Sequence, residues 1–352
     1  MRKGIGGFFV VACALAAGAA PAGAAAPACT APTSAPARLD FSVDGQPTFA
    51  FVARPPAAPR ALVTYDHGYG DQPGDADDRR NLQLLSDRLH AIVVAPVYRG
   101  TIVLGPESTR GAPVRAGAAD TVQLARAFRD ACGRLPTIAL GLSMGGTVAG
   151  LSAITGGHGL YDLWVGLNPM QDSSTASLAS RITGATQFAD DLDAEAGGTP
   201  LTAPAAYASF SLAQRHAELA HSGIRGAVIV DAAGDQTGAQ LQTQLLWPLL
   251  LADGLTVDRE IAIRKDTDAP PEGGLDTALL GAGAILTGHL GLTSVRIAAE
   301  RIADFLDSAS MLRLRIGVHD PALHAAFSAP PARATHARHR HAHARQPKTR
   351  RT

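Results

Sequence analysis

A serine flanked by glycines lies near the middle of the sequence, in Gly141-Leu142-Ser143-Met144-Gly145. The apolar residues 138–140 before it are typical of a buried strand, and the small residues 147–153 after it favour a helix. On a tight turn between the two, the serine hydroxyl stands clear of the backbone, and the helix N-terminus faces the place where an oxyanion would form. The flanking glycines are expected to be necessary because side chains there would collide with the neighbouring strand and helix. The motif predicts a nucleophilic serine; the alternative is a glycine-rich turn with an incidental serine.

A nucleophilic serine needs a base and a carboxylate that orients the base, in the chain order serine, acid, histidine. Asp235 follows the apolar segment 224–230, in a loop from which a carboxylate can reach an imidazole, and it is the predicted acid. Asp231 is the alternative, either still within the strand or capping the turn. Asp172, which follows the preceding predicted strand, is a further substitute.

His289 is the predicted base, because it stands between the last predicted strand of the sheet and the closing helix. This loop would lie on the same edge of the sheet as Ser143, and Gly288 and Gly291 lie close to the histidine in the sequence. His319 is another late candidate, but it lies beyond the closing helix. Three more histidines precede the acid and break the chain order: His158, His216 and His221.

The turn His67-Gly68-Tyr69-Gly70 follows the first predicted parallel strand and is the candidate oxyanion site. Its glycines let the backbone N–H of Tyr69 point inward, and the N–H of Met144 would be the second donor. The side chain of His67 is expected to brace the turn rather than act as the base, since it precedes the serine in the chain.

Apolar segments without polar alternation are separated by helical segments along most of the chain. This pattern predicts an α/β fold with a mainly parallel central sheet, covered by helices on both faces. The predicted strands are 61–65, 91–95, 137–140, 163–167, 224–230 and 256–263, preceded by a hairpin over 38–43 and 48–53. The predicted helices are 77–90, 116–131, 240–252 and 293–308. Ligands bind such sheets at the carboxyl ends of the strands, where both His67 and Ser143 lie.

Residues 170–222 interrupt this alternation between the fourth and fifth parallel strands. The segment is rich in Ser, Thr, Ala and Gly, with Phe188, Tyr207 and Phe210 distributed through it. Because it starts on the edge that carries the serine, it is interpreted as a mobile helical cap over the site. The alternative is a surface excursion without a role.

Together these motifs resemble the α/β-hydrolase superfamily, over residues 60–170 and 223–308. The resemblance rests on HGYG at 67–70, GLSMGG at 141–146, Asp235 and GHLG at 288–291. It implies an α/β-hydrolase fold with a cap insertion after the fourth parallel strand. The triplet Tyr98-Arg99-Gly100, with Asp120, also resembles the peptidase and esterase branches related to prolyl oligopeptidase.

The predicted acid and the predicted base are farther apart in the sequence than the resemblance leads one to expect. Asp235 and His289 are 54 positions apart (289 − 235), more than one helix and one strand require. The excess lies in residues 265–288, which contain two prolines and several glycines. This segment is interpreted as a long loop beside the histidine.

The composition excludes some classes of partner. The chain has 352 residues, 46% hydrophobic and 18% charged, and a formal net charge of zero. Because the last twenty residues are strongly basic, the remainder is acidic, and nucleic acid is not an expected partner. Residues 310–352, with the His/Arg-rich stretch 336–345, are expected to form a disordered tail outside a domain covering 38–309.

The N-terminus has the features of a signal peptide for export over residues 1–26. Arg2 and Lys3 precede an apolar segment at 5–20, and Ala22-Gly23-Ala24 is the expected small-x-small cleavage site, with Ala26 as the alternative. A linker at 27–37 follows, and no stable membrane anchor is expected, although the residues before Cys13 loosely resemble a lipobox. After cleavage, Cys29 and Cys132 remain, and they either pair as a disulfide or stay as thiols.

The sequence therefore predicts a secreted or periplasmic serine hydrolase that cleaves a carboxylic ester of a small molecule through an acyl-enzyme. The catalytic residues would be Ser143, Asp235 and His289, and the reaction needs no metal or organic cofactor. A peptidase or amidase is the alternative, with acidic residues of the cap binding a free amine: Asp190, Asp191 and Glu195. A non-catalytic binding protein of the same fold is a further alternative.

Overall fold

The structure, a computed structural model, describes residues 29, 31–104, 109–233, 235, 239–262, 292–308 and 315–319. The strands are β1 Ala37–Val43, β2 Gln46–Ala53, β3 Ala61–Asp66, β4 Ala91–Pro96, β5 Ile102–Val103, β6 Thr109–Arg110, β7 Thr137–Leu142, β8 Leu163–Leu167, β9 Ala227–Ala232, β10 Val257–Ala262 and β11 Arg315–His319. The helices are α1 Ala76–Leu89, α2 Val114–Cys132, α3 Met144–Thr155, α4 Ser173–Thr183, α5 Thr186–Ala196, α6 Pro204–Ser209, α7 His216–Ala220, α8 Ala239–Ala252 and α9 Leu292–Asp307.

Nine of these strands form one sheet in the order β1-β2-β4-β3-β7-β8-β9-β10-β11. The hairpin β1–β2 joins β4 in antiparallel pairing, and the remaining neighbours in the order β4-β3-β7-β8-β9-β10-β11 pair in parallel. The predicted α/β fold with a mainly parallel sheet is confirmed. Parallel pairing places the loops after β3, β7 and β9 on one edge, and these loops carry the candidate oxyanion turn, Ser143 and Asp235.

The central strands are buried and mainly apolar because helices cover both faces of the sheet. Every residue of β3, β4, β7, β8 and β9 is buried. Alternate side chains go to opposite faces: Ala139 and Trp164 pack with α2 and α3, whereas Leu140 and Val165 pack with α1 and α9. A rigid two-sided core of this kind fixes the loops at its edge.

The cap segment folds into four helices, α4 to α7, between β8 and β9. Tyr207, Phe210 and Leu212 are fully buried, and the two aromatic rings lie 5.3 Å apart. Leu212 contacts α3 so closely that a β-carbon at Gly150 would lie 2.6 Å from its methyl groups. The cap therefore packs on the helix that begins directly after Ser143.

The C-terminal boundary of the domain differs from the prediction. The disordered tail was expected to begin at residue 310, but Arg315–His319 forms β11 and pairs in parallel with β10. The reason is that β10 would otherwise be an edge strand, whose main-chain groups β11 satisfies. The other residues of the predicted tail lie outside the described residues.

The N-terminal end of the described chain is attached to the domain by a disulfide. Cys29 bonds to Cys132, the last residue of α2, across 103 positions. The predicted signal peptide at 1–26 lies outside the described residues. Among the helices that the structure describes, none is long and apolar enough to cross a membrane.

Candidate active site

Ser143 occupies a strained turn between β7 and α3. Its backbone has φ 55° and ψ −121°, a conformation that non-glycine residues rarely adopt. Its N–H donates to the carbonyl of Leu167 at 2.8 Å, and its own carbonyl accepts from the N–H groups of Gly146 and Met170, both at 2.9 Å. Three hydrogen bonds thus hold the serine backbone in the turn and present its side chain at the carboxyl edge of the sheet.

The glycines on either side of Ser143 are required by close backbone contacts. A β-carbon at Gly141 would lie 2.0 Å from the carbonyl oxygen of Gly145, and one at Gly145 would lie 2.0 Å from the carbonyl oxygen of Asp66. Both distances are far inside van der Waals contact. The sequence prediction that side chains would collide at these positions is confirmed, and the contacts explain how the strained turn is maintained.

The candidate oxyanion turn packs directly against the serine turn. A β-carbon at Gly68 would lie 2.6 Å from the carboxylate of Asp71 and 3.6 Å from the carbonyl oxygen of Leu142. On the other side, a β-carbon at Gly145 would also meet the carbonyl oxygen of His67, at 2.6 Å. The residues after β3 and the start of α3 are therefore neighbours, as donors to a shared oxyanion must be.

His67 braces this turn, as the sequence predicts. Its ring stacks on the ring of Tyr98 with centroids 4.1 Å apart, and its Nδ1–H donates to the carbonyl of Gly68 at 2.9 Å. The hydroxyl of Tyr98 donates to the carbonyl of His67 at 3.1 Å. Burial lowers the pKa of His67 to about 4, so the ring is neutral at pH 7.

A salt bridge between Asp120 and Arg99, the residue after Tyr98, fixes the loop that follows β4. The carboxylate of Asp120 accepts from the backbone N–H of Arg99 at 2.7 Å and from its guanidinium Nε at 2.5 Å. Asp120 is fully buried, whereas Arg99 is partly exposed. This pair holds the stacking partner of His67 in place, which gives a structural reason for the Tyr98-Arg99-Gly100 and Asp120 pattern.

Two of the three candidate acids are engaged elsewhere. Asp231 lies within β9 and pairs with Arg259 at 2.7 Å, and both side chains are more than nine-tenths buried. Asp172 caps α4, since its carboxylate accepts from the N–H of Thr175 at 2.7 Å and from the hydroxyl of Ser211 at 3.0 Å. Among the described residues, these two carboxylates thus have structural roles, one in the sheet and one at the start of α4.

Asp235 lies in the loop after β9, where the sequence places the acid. It is 6% exposed, and its N–H donates to the carbonyl of Ala232 at 3.1 Å. In the sheet, β9 is the second strand from β7, a separation of about 10 Å. An imidazole between the two loops spans such a distance, so Asp235 remains the candidate acid.

The predicted base, His289, lies outside the described residues, as does the predicted loop 265–288. The backbone of His319 ends β11, which is four strand spacings from β7, about 19 Å. His216 pairs with Asp253 at 2.5 Å, and His221 contacts the carbonyl of Ala217 at 2.6 Å. These positions do not bring His319, His216 or His221 to the serine.

Asn168 is a site residue that the sequence analysis missed. It follows β8 with φ 42°, and its Oδ1 accepts from the N–H of Ala232 at 2.6 Å. Its own N–H donates to the carbonyl of Val230 at 2.8 Å. The available signal is the Asn-Pro pair at a strand end, because Asn tolerates positive φ and Asn-Pro favours a turn.

The acidic residues of the cap all have partners. Asp190 pairs with Arg181 at 3.1 Å, and Glu195 pairs with Arg115 at 3.0 Å. Asp191 accepts from the hydroxyl of Tyr69 at 2.7 Å. The structure therefore does not assemble these carboxylates into a pocket with unpaired negative charge.

Comparison with protein-family models and with curated proteins finds no match for this sequence. Solved structures do match. A puromycin hydrolase superposes with a TM-score of 0.58 at 16% identity, covering 80% of this chain and 41% of that protein. A thermostable esterase from Pseudomonas putida superposes with a TM-score of 0.53 at 18% identity, covering 80% of this chain and 84% of the esterase.

Dipeptidyl peptidase 4 of Porphyromonas gingivalis superposes with a TM-score of 0.52 at 16% identity, covering 77% of this chain and 35% of the peptidase. The chain thus spans about two fifths or less of the puromycin hydrolase and of the dipeptidyl peptidase. These enzymes and the esterase have the α/β-hydrolase fold, and so does this chain. The predicted superfamily resemblance is confirmed at the level of the fold.

Proposed function

We propose that this α/β-hydrolase fold carries a serine hydrolase that cleaves carboxylic esters, with Ser143 as the nucleophile. The observation that carries the proposal is the strained backbone of Ser143, held by three hydrogen bonds between two glycines whose β-carbons have no room. A protein maintains a strained residue only when the surrounding structure over-determines it, and such residues cluster at active sites. An incidental serine would not need this turn.

In the proposed acylation step, Ser143 Oγ attacks the ester carbonyl carbon while His289 accepts its proton, and Asp235 orients the imidazole. The carbonyl oxygen becomes an oxyanion, stabilised by the N–H groups of Tyr69 and Met144. Within the part of the chain that the structure describes, neither N–H donates a hydrogen bond, so both are available. The carbon–oxygen bond then breaks, and the leaving alcohol takes the proton from His289.

In the proposed deacylation step, His289 removes a proton from water, and the resulting hydroxide attacks the acyl carbon. The same two N–H groups stabilise the second oxyanion. When the acyl–oxygen bond breaks, Ser143 Oγ recovers its proton from the imidazolium, and a carboxylic acid leaves. The cycle consumes one water and requires no metal or organic cofactor.

Two observations support an ester rather than a peptide with a free N-terminus. A free amine needs an unpaired carboxylate in the pocket, and the cap residues Asp190, Asp191 and Glu195 each have another partner. In addition, the similar esterase is matched over 84% of its length, whereas the puromycin hydrolase and the dipeptidyl peptidase are matched over 41% and 35%. We infer a small-molecule ester or acyl substrate.

Export through the N-terminal signal is part of the proposal. Disulfides persist in oxidising compartments and are rare in the cytosol, so the Cys29–Cys132 bond supports secretion or a periplasmic location. N-terminal sequencing of the native protein tests this. Cleavage after Ala24 or Ala26, in the extracellular or periplasmic fraction, is the expected result; an intact Met1 in a cytosolic fraction contradicts it.

Labelling with a fluorophosphonate probe tests the nucleophile. The wild-type protein is expected to be labelled covalently, and Ser143→Ala is expected to lose the label. Ser152→Ala is the matched control, because Ser152 lies on the same helix with its hydroxyl bonded to the carbonyl of Val148 at 2.8 Å. Equal labelling of the wild type and Ser143→Ala would remove Ser143 from the proposal.

A substrate panel separates the ester hydrolase from its alternatives. p-Nitrophenyl acyl esters of increasing chain length are compared with aminoacyl p-nitroanilides, using His289→Ala and Asp235→Asn as inactive references. Turnover of the esters at least tenfold above the anilides supports the proposal. Preference for the anilides indicates a peptidase, and a folded, unlabelled protein without turnover indicates a binding protein.

A further inference from the structure

The side chain of Tyr69 connects the candidate oxyanion turn to the cap. Its hydroxyl donates to Asp191 Oδ2 at 2.7 Å, across 122 positions of sequence. Its ring also contacts the ring of Phe188, with centroids 4.6 Å apart. Both partners lie on α5. One helix of the cap therefore contacts the side chain of Tyr69, whose backbone N–H is the candidate oxyanion donor.

Asp191 is held in place by three further groups. The N–H of Gly111 donates to the same Oδ2 at 3.1 Å, Gln187 Nε2 donates to Oδ1 at 3.1 Å, and Arg110 Nε lies 3.9 Å from Oδ1. The aspartate side chain is only 13% exposed. The carboxylate of Asp191 therefore connects three parts of the molecule: the cap, the β6 segment (residues 109–111) and the candidate oxyanion turn.

The same β6 segment also binds the backbone that follows Tyr69. The N–H of Thr109 donates to the carbonyl of Gly70 at 3.0 Å, and the Thr109 hydroxyl donates to the carbonyl of Asp71 at 2.7 Å. Gly70 has φ 84°, a conformation suited to glycine. The turn is thus restrained in two places: at the side chain of Tyr69 and at the backbone of the two residues that follow it.

We propose that Asp191 is a positioning residue for catalysis: by holding the Tyr69 hydroxyl, it fixes the direction of the Tyr69 N–H toward the oxyanion. The inference rests on the proposed function and assigns the cap a role in that site. An oxyanion donor is effective because it is oriented before the charge develops. When the cap is docked through Asp191, the donor is oriented; when this contact is absent, the turn keeps its Thr109 bonds but loses the restraint on the Tyr69 side chain.

This role predicts a specific kinetic pattern. The oxyanion forms only during the reaction, so loss of orientation lowers kcat and leaves KM nearly unchanged. Complete loss of one oxyanion donor costs about 10²–10³-fold in kcat, and a loosened donor costs less. We expect Asp191→Ala to lower kcat by about tenfold, with KM within about twofold of the wild type.

The experiment uses the full chain and p-nitrophenyl esters. Tyr69→Phe removes the hydroxyl but keeps the ring and the N–H, so it is expected to match Asp191→Ala in kcat. Because both variants remove one contact, the double variant is expected to lose little more than either single variant. Asp191→Asn keeps an acceptor oxygen for Tyr69 and Gly111, so it is expected to restore most of the activity.

Asp190→Ala is the matched control, since Asp190 is the adjacent residue on α5 and pairs with Arg181 on the cap surface. It is expected to keep wild-type kcat and KM. A boronic acid that mimics the tetrahedral species is expected to bind Asp191→Ala more weakly, by the same factor as the loss in kcat. Melting temperatures within a few degrees confirm that the variants are folded.

The outcomes separate this inference from the function on which it rests. If the wild type is neither labelled by fluorophosphonate nor active, the proposed function fails. If the wild type is active and Asp191→Ala has the kcat of Asp190→Ala, the positioning role is wrong. A rise in KM at constant kcat also overturns it, because that pattern means that Asp191 acts on ground-state substrate binding.

Discussion

Asn168 Oδ1 accepts a hydrogen bond from the N–H of Ala232 at 2.6 Å, joining the end of β8 to the end of β9. The residue before Asn168, Leu167, holds the backbone of Ser143, and the carbonyl of Ala232 accepts from the N–H of Asp235. One side chain therefore links the nucleophile loop to the acid loop. Asn168 itself belongs to neither the loop of Ser143 nor the loop of Asp235, the candidate nucleophile and the candidate acid.

Replacement of Asn168 tests this link. Asn168→Ala removes the side-chain acceptor of the buried Ala232 N–H, so we expect a loss of about 1–3 kcal/mol in the free energy of unfolding. We also expect kcat to fall by roughly tenfold. Asn168→Gly accommodates φ 42° but lacks the acceptor. Full activity in Asn168→Gly would show that only the backbone conformation matters.

Asp231 and Asp235 are expected to respond to mutation in opposite ways. Asp231→Asn leaves the buried guanidinium of Arg259 without its charged partner, so we expect a loss of about 3–5 kcal/mol of stability, with activity retained in the folded fraction. Asp235→Asn is expected to lower kcat by about 10⁴-fold with little change in stability. Urea denaturation and ester kinetics on both variants measure this; the reverse pattern would make Asp231 the acid.

A single methyl group at Gly145 is expected to disrupt the site. Gly145→Ala places a β-carbon 2.0 Å from the Asp66 carbonyl oxygen, so we expect it to lose more than about 3 kcal/mol of stability or to fail to fold. Gly45→Ala is the control, because Gly45 has φ 76° but no atom within 4 Å of a β-carbon. It is expected to cost about 1 kcal/mol. Similar melting temperatures for the two variants would contradict the packing argument.

The buried, neutral His67 is expected to make the folded protein less stable in weak acid. Burial lowers its pKa from 6.5 to about 4, so between these values the unfolded chain binds the proton and the folded chain does not. Stability therefore falls as the pH drops from about 6.5 to about 4, by about 3 kcal/mol for this residue. Burial raises the pKa of the nearby Asp66 well above its usual value, which acts in the opposite direction.

His67→Phe keeps an aromatic ring against Tyr98 but removes the titration. Its free energy of unfolding is expected to change less between pH 7 and pH 4.5 than that of the wild type, even if its stability at pH 7 is lower. Guanidinium denaturation at both pH values measures the difference. Equal changes in the two proteins would mean that His67 does not resist protonation in the folded state.

The disulfide is expected to contribute to stability through the length of chain that it closes. Because Cys29 and Cys132 are 103 positions apart, the double variant Cys29→Ser/Cys132→Ser is expected to lose about 2–5 kcal/mol in the free energy of unfolding. A reductant should lower the melting temperature of the wild type and leave the double variant unchanged. An effect of the reductant on the double variant would point to a different cause.

The positions of the parallel strands along the chain were predictable from the sequence, because burial on both faces of the sheet requires runs of apolar residues. The serine turn was predictable for a similar local reason: a glycine on each side of Ser143 reports backbone contacts within a few positions of sequence. The start of β9 was less so: the predicted strand begins at Ile224, whereas pairing with β8 and β10 begins at Ala227.

Contacts set by tertiary packing were not predictable. The Tyr69–Asp191 bond joins residues far apart in sequence, and nothing local marks Asp191 among the acidic residues of the cap. The Asp231–Arg259 pair depends on the register of β9 and β10, which determines that the two side chains share a face. β11 was missed because it becomes a strand by pairing with an edge that the sequence does not reveal.

The disulfide also determines which edge of the sheet lies next to anything that is joined to the N-terminus. Cys132 ends α2, and β7 begins five residues later, so Cys29 is fastened near the amino edge of the sheet. Ser143 follows the six-residue strand β7 at the opposite edge, about 20 Å away. A surface, fusion partner or bead attached ahead of Cys29 therefore leaves the reactive edge facing outward, so N-terminal immobilisation should preserve substrate access.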